Sequence, residues 1–524
     1  MVPWRPQAPA LPPPSSSDCE DESPESPERE RRVSRRTSGS LPSELPAELI
    51  RGVPLEVCLQ WWGTHWAPND RDDYGLSQRS DSIDFFLSHD WKTSRWSKTL
   101  ALLMFFNGVP AGLATVCASI LSFWLLLEHA LPGGWPTASI STYCTFLMVF
   151  CFWQRIRRLL CCYVPTVFLD RLCIAQHDLE LKRQGILGLA GFLGKSRQLV
   201  ILWTPRTFSR LWCTFELAQF LGPGSGRPVT IVPVAMMQLL MSVFIANGCL
   251  WAMFHVWLYI EESDLMGLNS SMIWIVLLAS AFLAPVLIFC WVVQVSFGMQ
   301  HLRDLSELDF QMQKFSIRNS ECACCTFGHV DPAGNPMLCD RSLVYTTLRR
   351  WYGGDGEDHL DRFDAAVREH VRVSVMEGLG SGIPPVRFIL VVAVVSPLGL
   401  LPQYLHMGLN GLQAHGGVSE DWKFWQWLVF YLHVPFVTLF LCWLGVNAPR
   451  VGLALSLKVR KWKAVVLVLV MKSTLLGFFW MPSFFASFPK TPLSYAGVFT
   501  YMFGVLLGLY SWQYRSAFAN AIRC

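Results

Sequence analysis

Leu100-Ala101-Leu102-Leu103-Met104-Phe105-Phe106 opens an apolar stretch that runs to Leu127 without one Asp, Glu, Lys or Arg. A helix needs only ~20 such residues to cross the hydrocarbon core of a bilayer. This first block spans 100–128, and comparable blocks follow at 138–154, 237–259, 272–298, 386–406, 423–446, 464–486 and 494–512. We therefore expect about eight crossings and a multi-pass α-helical membrane protein. The block at 138–154 is the shortest and is polar at Thr142 and Tyr143.

Composition agrees with that expectation. Of 524 residues, 52% are hydrophobic and 16% are charged, against about a quarter charged in an ordinary soluble domain. The net charge of +4 matters less than where the charges lie. With Met1 in the cytosol, the outer loops 129–137, 260–271, 407–422 and 487–493 hold a single basic residue, Lys490, beside Glu261, Glu262, Asp264, Glu420 and Asp421. The inner loops carry Arg155, Arg157, Arg158, Lys182, Arg183, Arg349, Arg350, Arg450, Lys458, Arg460, Lys461 and Lys463. This is the bias of the positive-inside rule, and an even number of crossings leaves both termini cytosolic. The start of the chain is polar and carries no signal peptide, so the first crossing is expected to direct insertion. The 17 cysteines lie mostly in membrane blocks or cytosolic segments and are expected to stay reduced. Basic runs are short and lie beside membrane blocks, which argues against nucleic acid as a partner. No Walker loop, kinase signature, His-Glu-x-x-His or Gly-x-Ser-x-Gly occurs.

The expected domain plan follows from these blocks. Residues 1–50 form a disordered tail rich in Pro, Ser, Glu and Arg. A cytosolic α/β module takes 51–99 and 155–236, split by a transmembrane hairpin at 100–154. Further hairpins occupy 237–300, 385–448 and 464–512. Between them lie a Cys-containing cytosolic insert at 301–384 and a basic loop at 449–463, with a cytosolic tail at 513–524. In the α/β module, Ile83–Ser88, Thr166–Asp170, Gln198–Trp203 and Val229–Val234 have the continuous apolar character of buried parallel strands. Helical stretches at Gly185–Lys195 and Leu211–Leu221 alternate with them, which predicts a parallel sheet.

Four motifs in that module resemble a Toll/interleukin-receptor (TIR) domain. Asp84-Phe85-Phe86-Leu87-Ser88-His89-Asp90 looks like its first strand and loop, and Phe168-Leu169-Asp170 like its second strand. Gly185-Ile186 with Leu193-Gly194-Lys195-Ser196 resembles its second helix. Ser209-Arg210-Leu211-Trp212-Cys213-Thr214-Phe215-Glu216-Leu217 resembles its Ser-x-x-Trp-Cys-x-x-Glu-Leu signature, the most specific of the four. Some members of that family cleave NAD at the nicotinamide–ribose bond, and others only assemble signalling complexes. The resemblance thus implies a TIR-like α/β module, action through self-association, and NAD as a substrate class with Glu216 as its catalytic carboxylate. Such a carboxylate holds ribose hydroxyls and stabilises oxocarbenium charge. The pocket is expected beyond the carboxyl ends of the strands, with Ser88, Trp91, Trp96 and Asp170 in its wall. On residue type alone, a Glu in the position of Glu216 on an amphipathic helix is usually a solvated or ion-paired side chain. A membrane hairpin stands where the family has the helix between its first two strands, and the fourth strand runs almost directly into a membrane block at Met236.

Two further groups carry chemistry. Cys322, Cys325, His329 and Cys339 supply four thiolate or imidazole donors at spacings compatible with zinc. The alternative is a set of reduced or acylated cysteines beside a membrane. Lys472 falls in the middle of its block, where an unpaired charge costs at least about 2.5–3.5 kcal/mol. It should face the bundle interior, with His433 and Tyr431 as the nearest partners by topology. The sequence-level function is a membrane-embedded, TIR-like signalling protein, with a transporter or channel carrying a TIR-like regulatory module as the alternative.

Overall fold

This computed structural model describes residues 46–66, 73–161, 163–220, 227–262, 270–326, 328–330, 334, 339–353, 357–379, 386–399, 401–402 and 421–486. Residues 1–45 of the expected tail at 1–50, the block at 494–512 and the C-terminal tail lie outside the described residues, whereas Ala47–Leu49 form a 3-10 turn and Ile50 is buried, so folded structure is present before the expected boundary. The chain divides into two compact units. One gathers Met1–Arg95, Val164–Val232 and Glu307–Leu379, as far as they are described, and the other gathers Trp96–Tyr163, Pro233–Ser306 and Gly380–Cys524.

The first unit is built on a six-stranded sheet, with β1 at Arg51–Pro54, β2 at Gln78–Arg79, β3 at Ile83–His89, β4 at Thr166–Phe168, β5 at Ser196–Trp203 and β6 at Val229–Pro233. Their order across the sheet is β2-β1-β4-β3-β5-β6. β3 runs parallel to β4 and to β5, in a register that sets Ile83 opposite Ser196 and His89 opposite Leu202. β1 is antiparallel to both β2 and β4. The sheet is therefore mixed, which corrects the all-parallel expectation. The physical reason is local: β1 is four residues long, contains Gly52 and Pro54, and shows no apolar run or alternation.

The parallel heart of the sheet is apolar on both faces. Phe86 of β3 stacks on Phe168 of β4 at 4.4 Å, and Phe168 meets Phe192 of the helix Leu189–Lys195 at 4.6 Å. All three rings are fully buried. The helix Leu179–Leu187 is capped by Asp178, whose carboxylate accepts from Glu180 N–H and Leu181 N–H. It approaches so closely that a Cβ on Gly185 would stand 2.8 Å from Ile174. Among the three nearby tryptophans, Trp66 is core, donating its indole N–H to Cys58 O at 2.8 Å, whereas Trp61 and Trp62 are exposed.

The second unit is helical. Among the described residues, five helical stretches are long and apolar enough to cross a membrane: Arg95–Leu127, Gly134–Cys161, Val234–Met253, Ala281–Gln313 and Thr438–Ser456. Leu113, Ile120, Ile140, Leu147, Phe282 and Phe289 point outward and are more than half exposed. In water such a surface would be unfavourable, and lipid resolves it. Of the remaining expected crossings, Val386–Leu398 and Lys461–Ala486 are helical.

Inside this unit, small and polar residues bring helices together, as they do in lipid. A Cβ on Gly298 would run into Pro449, and one on Gly445 would stand 2.8 Å from Val243. Asn107 donates to Phe150 O at 2.8 Å and accepts from Gln154 Nε2 at 2.7 Å, joining the two helices of the first hairpin.

Lys472 is buried, donates to Gln294 Oε1 at 2.6 Å, and lies 4.9 Å above the Trp291 ring. Gln294 in turn donates to Ser242 O at 3.0 Å. The partner of Lys472 is thus a glutamine two expected blocks away from the His433 and Tyr431 pair. The side chains of those two residues lie outside the described ones. Gln294→Leu is expected to lower stability in detergent by about 2 kcal/mol, since it strands a buried ammonium. Gln294→Leu combined with Lys472→Met should recover most of that loss. Equal destabilisation by the single and double variants would refute the pairing.

Candidate functional site

The residues around β3 and the helix Leu211–Phe220 meet because of two periodicities. Along the helix, Leu211, Thr214, Phe215 and Leu217 face the core. Trp212 and Glu216, four apart, share a different stripe. Along the sheet, β3 and β4 end at His89 and Phe168, so the segments that follow converge at their carboxyl ends. Taken alone, β3 to β6 lie in the order second, first, third, fourth, so the chain reverses direction across the sheet beside β3. Ligands of doubly wound sheets bind beyond the carboxyl strand ends at such a reversal.

A cavity of about 270 Å³ lies there. Its wall includes His89 at the end of β3 and Trp91 just after it, Asp170 after β4, Lys182, and Arg210, Trp212 and Glu216 of the signature segment. Trp91 is held against His89 at 5.4 Å, and His89 against Trp66 at 4.9 Å. Arg210 is fixed by an ion pair with Asp90 at 3.1 Å, in which the Asp90 side chain is only 3% exposed. Asp90 also accepts from the Thr93 hydroxyl at 3.3 Å.

Glu216 is the chemically distinctive wall residue. Burial pushes its carboxyl up to about 8, and the nearby Asp170 adds to the rise. Ser88 and Arg210 act in the opposite direction without overcoming burial. Glu216 Oε2 and Ser88 Oγ are buried atoms that make no hydrogen bond of normal geometry. The hydroxyl is nonetheless close enough to ease ionisation of the carboxyl. A residue that lines a cavity and keeps a buried carboxyl oxygen without a partner has hydrogen-bonding capacity left over beside a ligand-sized space. Cys213, beneath it, donates to His89 O at 3.6 Å, and burial raises its thiol far out of the reactive range. That makes Cys213 a packing residue.

The segment Glu307–Leu379 completes this wall from behind. Glu321 N–H donates to Ser209 O at 2.6 Å, and Leu211 N–H donates to Glu321 O at 3.1 Å. Arg206 pairs with the Glu321 carboxylate at 2.7 Å. Trp212 donates its indole N–H to Asp340 at 3.0 Å, and Phe215 stacks on Trp351 at 5.6 Å.

A scan against protein-family models returns no match to this chain. No curated protein and no solved structure matches it significantly.

Of the sequence-derived pocket residues, Trp91, Asp170 and Glu216 line the cavity, and Ser88 lies buried beside Glu216. Trp96 is not among the lining residues. The helix Arg95–Leu127 begins one residue before it, so Trp96 belongs to the first helical turn and is 53% exposed. Arg210, Lys182 and His89 also line the cavity, beyond the residues the sequence points to. Arg210 stands inside the quoted signature, but nothing in its spacing reveals a partner 120 residues away.

The cysteines also differ from the spacing-based set. Cys324, Cys325, His329 and Cys339 bring four donor atoms within 4.8 Å of one another. Cys322 instead groups with Cys324 and Asp340, its sulfur 3.1 Å from that of Cys324. The Cys-x-x-Cys spacing favoured Cys322, but the helical turn Ala323–Thr326 presents the consecutive Cys324 and Cys325 together. Burial pushes the Cys325 thiol up, yet hydrogen bonds with His329, Cys322, Arg341 and Cys339 outweigh it and hold the group at about 7.

Proposed function

We propose that the α/β unit is a TIR-like module that binds NAD by its nicotinamide riboside end and cleaves the glycosidic bond, within a membrane-embedded signalling protein that acts by self-association. The observation that carries this is Glu216. It is a cavity-lining carboxyl with an unsatisfied buried oxygen, on the same helix stripe as Trp212 and within a signature resembling that of NAD-cleaving family members.

The cavity is close to the lower end of small-ligand pockets, about 300–1,000 Å³. At about 270 Å³ it suits one half of a dinucleotide. Trp91 and Trp212 offer faces for the nicotinamide ring, and Lys182 and Arg210 offer charge to the diphosphate. In the reaction the C1′–N1 bond breaks and its electron pair leaves with nicotinamide. Water adds to the ribosyl cation and releases a proton, giving ADP-ribose. The Glu216 carboxylate binds the ribose hydroxyls and opposes the positive charge that develops on the ring.

The positive-inside bias of the sequence supports a cytosolic module, with both termini on the same side. Fixing it to a bilayer confines its encounters to two dimensions, which favours assembly between copies.

The test is nicotinamide release from NAD by the full-length protein in detergent or nanodiscs. The wild type should release nicotinamide and ADP-ribose in equal amounts, and Glu216→Ala should release neither. Equal rates in the two proteins would reject the catalytic assignment. The rival reading, a transporter or channel, leans on Lys472. Its ammonium is engaged by Gln294 and Trp291, which supports a structural link between helices over a mobile ion-pathway charge.

A further inference from the structure

We propose that Cys324, Cys325, His329 and Cys339 bind one zinc ion, and that this ion, held within the segment Glu307–Leu379, fixes the start of the helix Asp340–Tyr352 that packs against Trp212 and Phe215. The proposal holds whether or not NAD is cleaved.

Geometry is the first argument. Zinc–thiolate bonds of about 2.3 Å in a tetrahedron place neighbouring sulfurs about 3.8 Å apart. The Cys324–Cys325 and Cys325–Cys339 sulfur separations are both 3.9 Å. The fourth donor, His329, lies within the same 4.8 Å cluster. Three sulfurs and one imidazole form a closed donor set of the kind that favours structural zinc over harder ions.

The backbone is the second argument. Gly328 has φ 66° and His329 has φ 61°. A left-handed conformation is natural for glycine and unfavourable for histidine, so something must maintain it. The turn returns the chain on itself, with Gly328 N–H donating to Cys325 O at 3.3 Å and His329 N–H to Cys324 O at 2.8 Å. It carries the imidazole back to the thiols, which is the work a metal would stabilise.

Second-sphere contacts are the third. Asp340 N–H donates to Cys324 Sγ at 3.3 Å, a bond that supports a metal thiolate. The Arg341 side chain interacts with Cys325 and donates to Ser320 O at 2.7 Å. Three thiolates and a divalent zinc leave one negative charge, and this guanidinium offsets it.

The connection to the cavity is short. Cys339 immediately precedes the helix Asp340–Tyr352. Its first residue, Asp340, accepts the Trp212 indole N–H, and Trp351 near its far end stacks on Phe215. An ion on Cys339 therefore fixes the helix that braces the cavity wall.

The experiment uses full-length protein purified in detergent from zinc-supplemented cells, without chelator. Elemental analysis should find one zinc per chain, and cobalt(II) exchange should give an intense thiolate-to-cobalt charge-transfer band with tetrahedral d–d bands. Cys322→Ser should keep the zinc and the cobalt spectrum, whereas Cys339→Ser should lose both. Stripping zinc from the wild type should lower the melting temperature of the α/β unit by at least about 5 °C. If Cys339→Ser fails to fold, the wild-type metal content and cobalt spectrum decide. A wild type that holds no zinc and takes up no cobalt overturns the site. Loss of metal in Cys322→Ser with retention in Cys324→Ser overturns the donor set. A melting temperature unchanged by chelation overturns the role of the ion in fixing the bracing helix.

Discussion

Glu216→Gln is expected to reduce nicotinamide release by at least about 10²–10³-fold while making the protein more stable at alkaline pH. Both effects come from the same burial. The carboxyl ordinarily titrates near 4.5 and is raised to about 8 in the folded protein. Between those values the folded state holds a proton that the unfolded chain has released. Stability from this group is therefore full at low pH and declines as pH rises from 4.5 to about 8. Glutamine cannot ionise and escapes that decline. The catalytic form, however, is the carboxylate. In the wild type kcat/KM should therefore rise with pH and level off above about 8, following the free protein. The kcat profile should turn over at lower pH, because bound NAD brings a pyridinium cation beside Glu216 and favours its ionised form. Rates and thermal melts of both proteins from about pH 6 to about pH 9 check the pair of effects. A Gln variant that melts below the wild type at the alkaline end would contradict the burial argument.

Arg210→Met should be the most damaging single change in the cavity wall that leaves Glu216 in place. It removes the cation paired with Asp90, whose side chain is 3% exposed and lies on the turn after β3. Breaking a buried pair from one side typically costs about 3–5 kcal/mol, because the remaining charge is stranded. Arg210 also lowers the Glu216 value through its charge, so its loss should move the kcat/KM inflection to higher pH. Chemical denaturation and the pH–rate profile read the two consequences separately. Arg210→Lys should restore part of the pairing and return the inflection toward that of the wild type. A Met variant with unchanged stability and unchanged profile would show that the pair contributes nothing.

How much of this was legible depends on which force shapes each element. Arg95–Leu127 and the helices like it are visible because a charge-free run of that length has one favourable environment. Ile83–His89 and Ser196–Trp203 are visible because strands buried on both faces need continuous apolar side chains. β1 and β2 are not. They are four and two residues long; β1 is a strand because β4 offers it an edge to pair with, and β2 because β1 then offers one in turn. The Trp212–Glu216 stripe could be read from helical spacing. The Asp90–Arg210 pair, Lys182 and the brace formed by Asp340 and Trp351 depend on contacts between distant segments, which periodicity does not record. The metal-type cluster was half legible. Donor spacing points to this stretch and pairs Cys325 with Cys322, whereas the helical turn followed by a left-handed histidine gathers Cys324 with Cys325, His329 and Cys339. Lys472 was correctly expected to need a buried partner, and Gln294 was hidden because packing among helices does not follow their order in the chain.

The most direct test of the central claim is a cryo-electron microscopy map of the full-length protein in nanodiscs, saturated with a non-cleavable NAD analogue. The account predicts density for the nicotinamide riboside between Trp91 and Trp212, with a ribose hydroxyl within hydrogen-bonding distance of Glu216. An empty cavity under saturating analogue, or analogue bound away from Glu216, would contradict it.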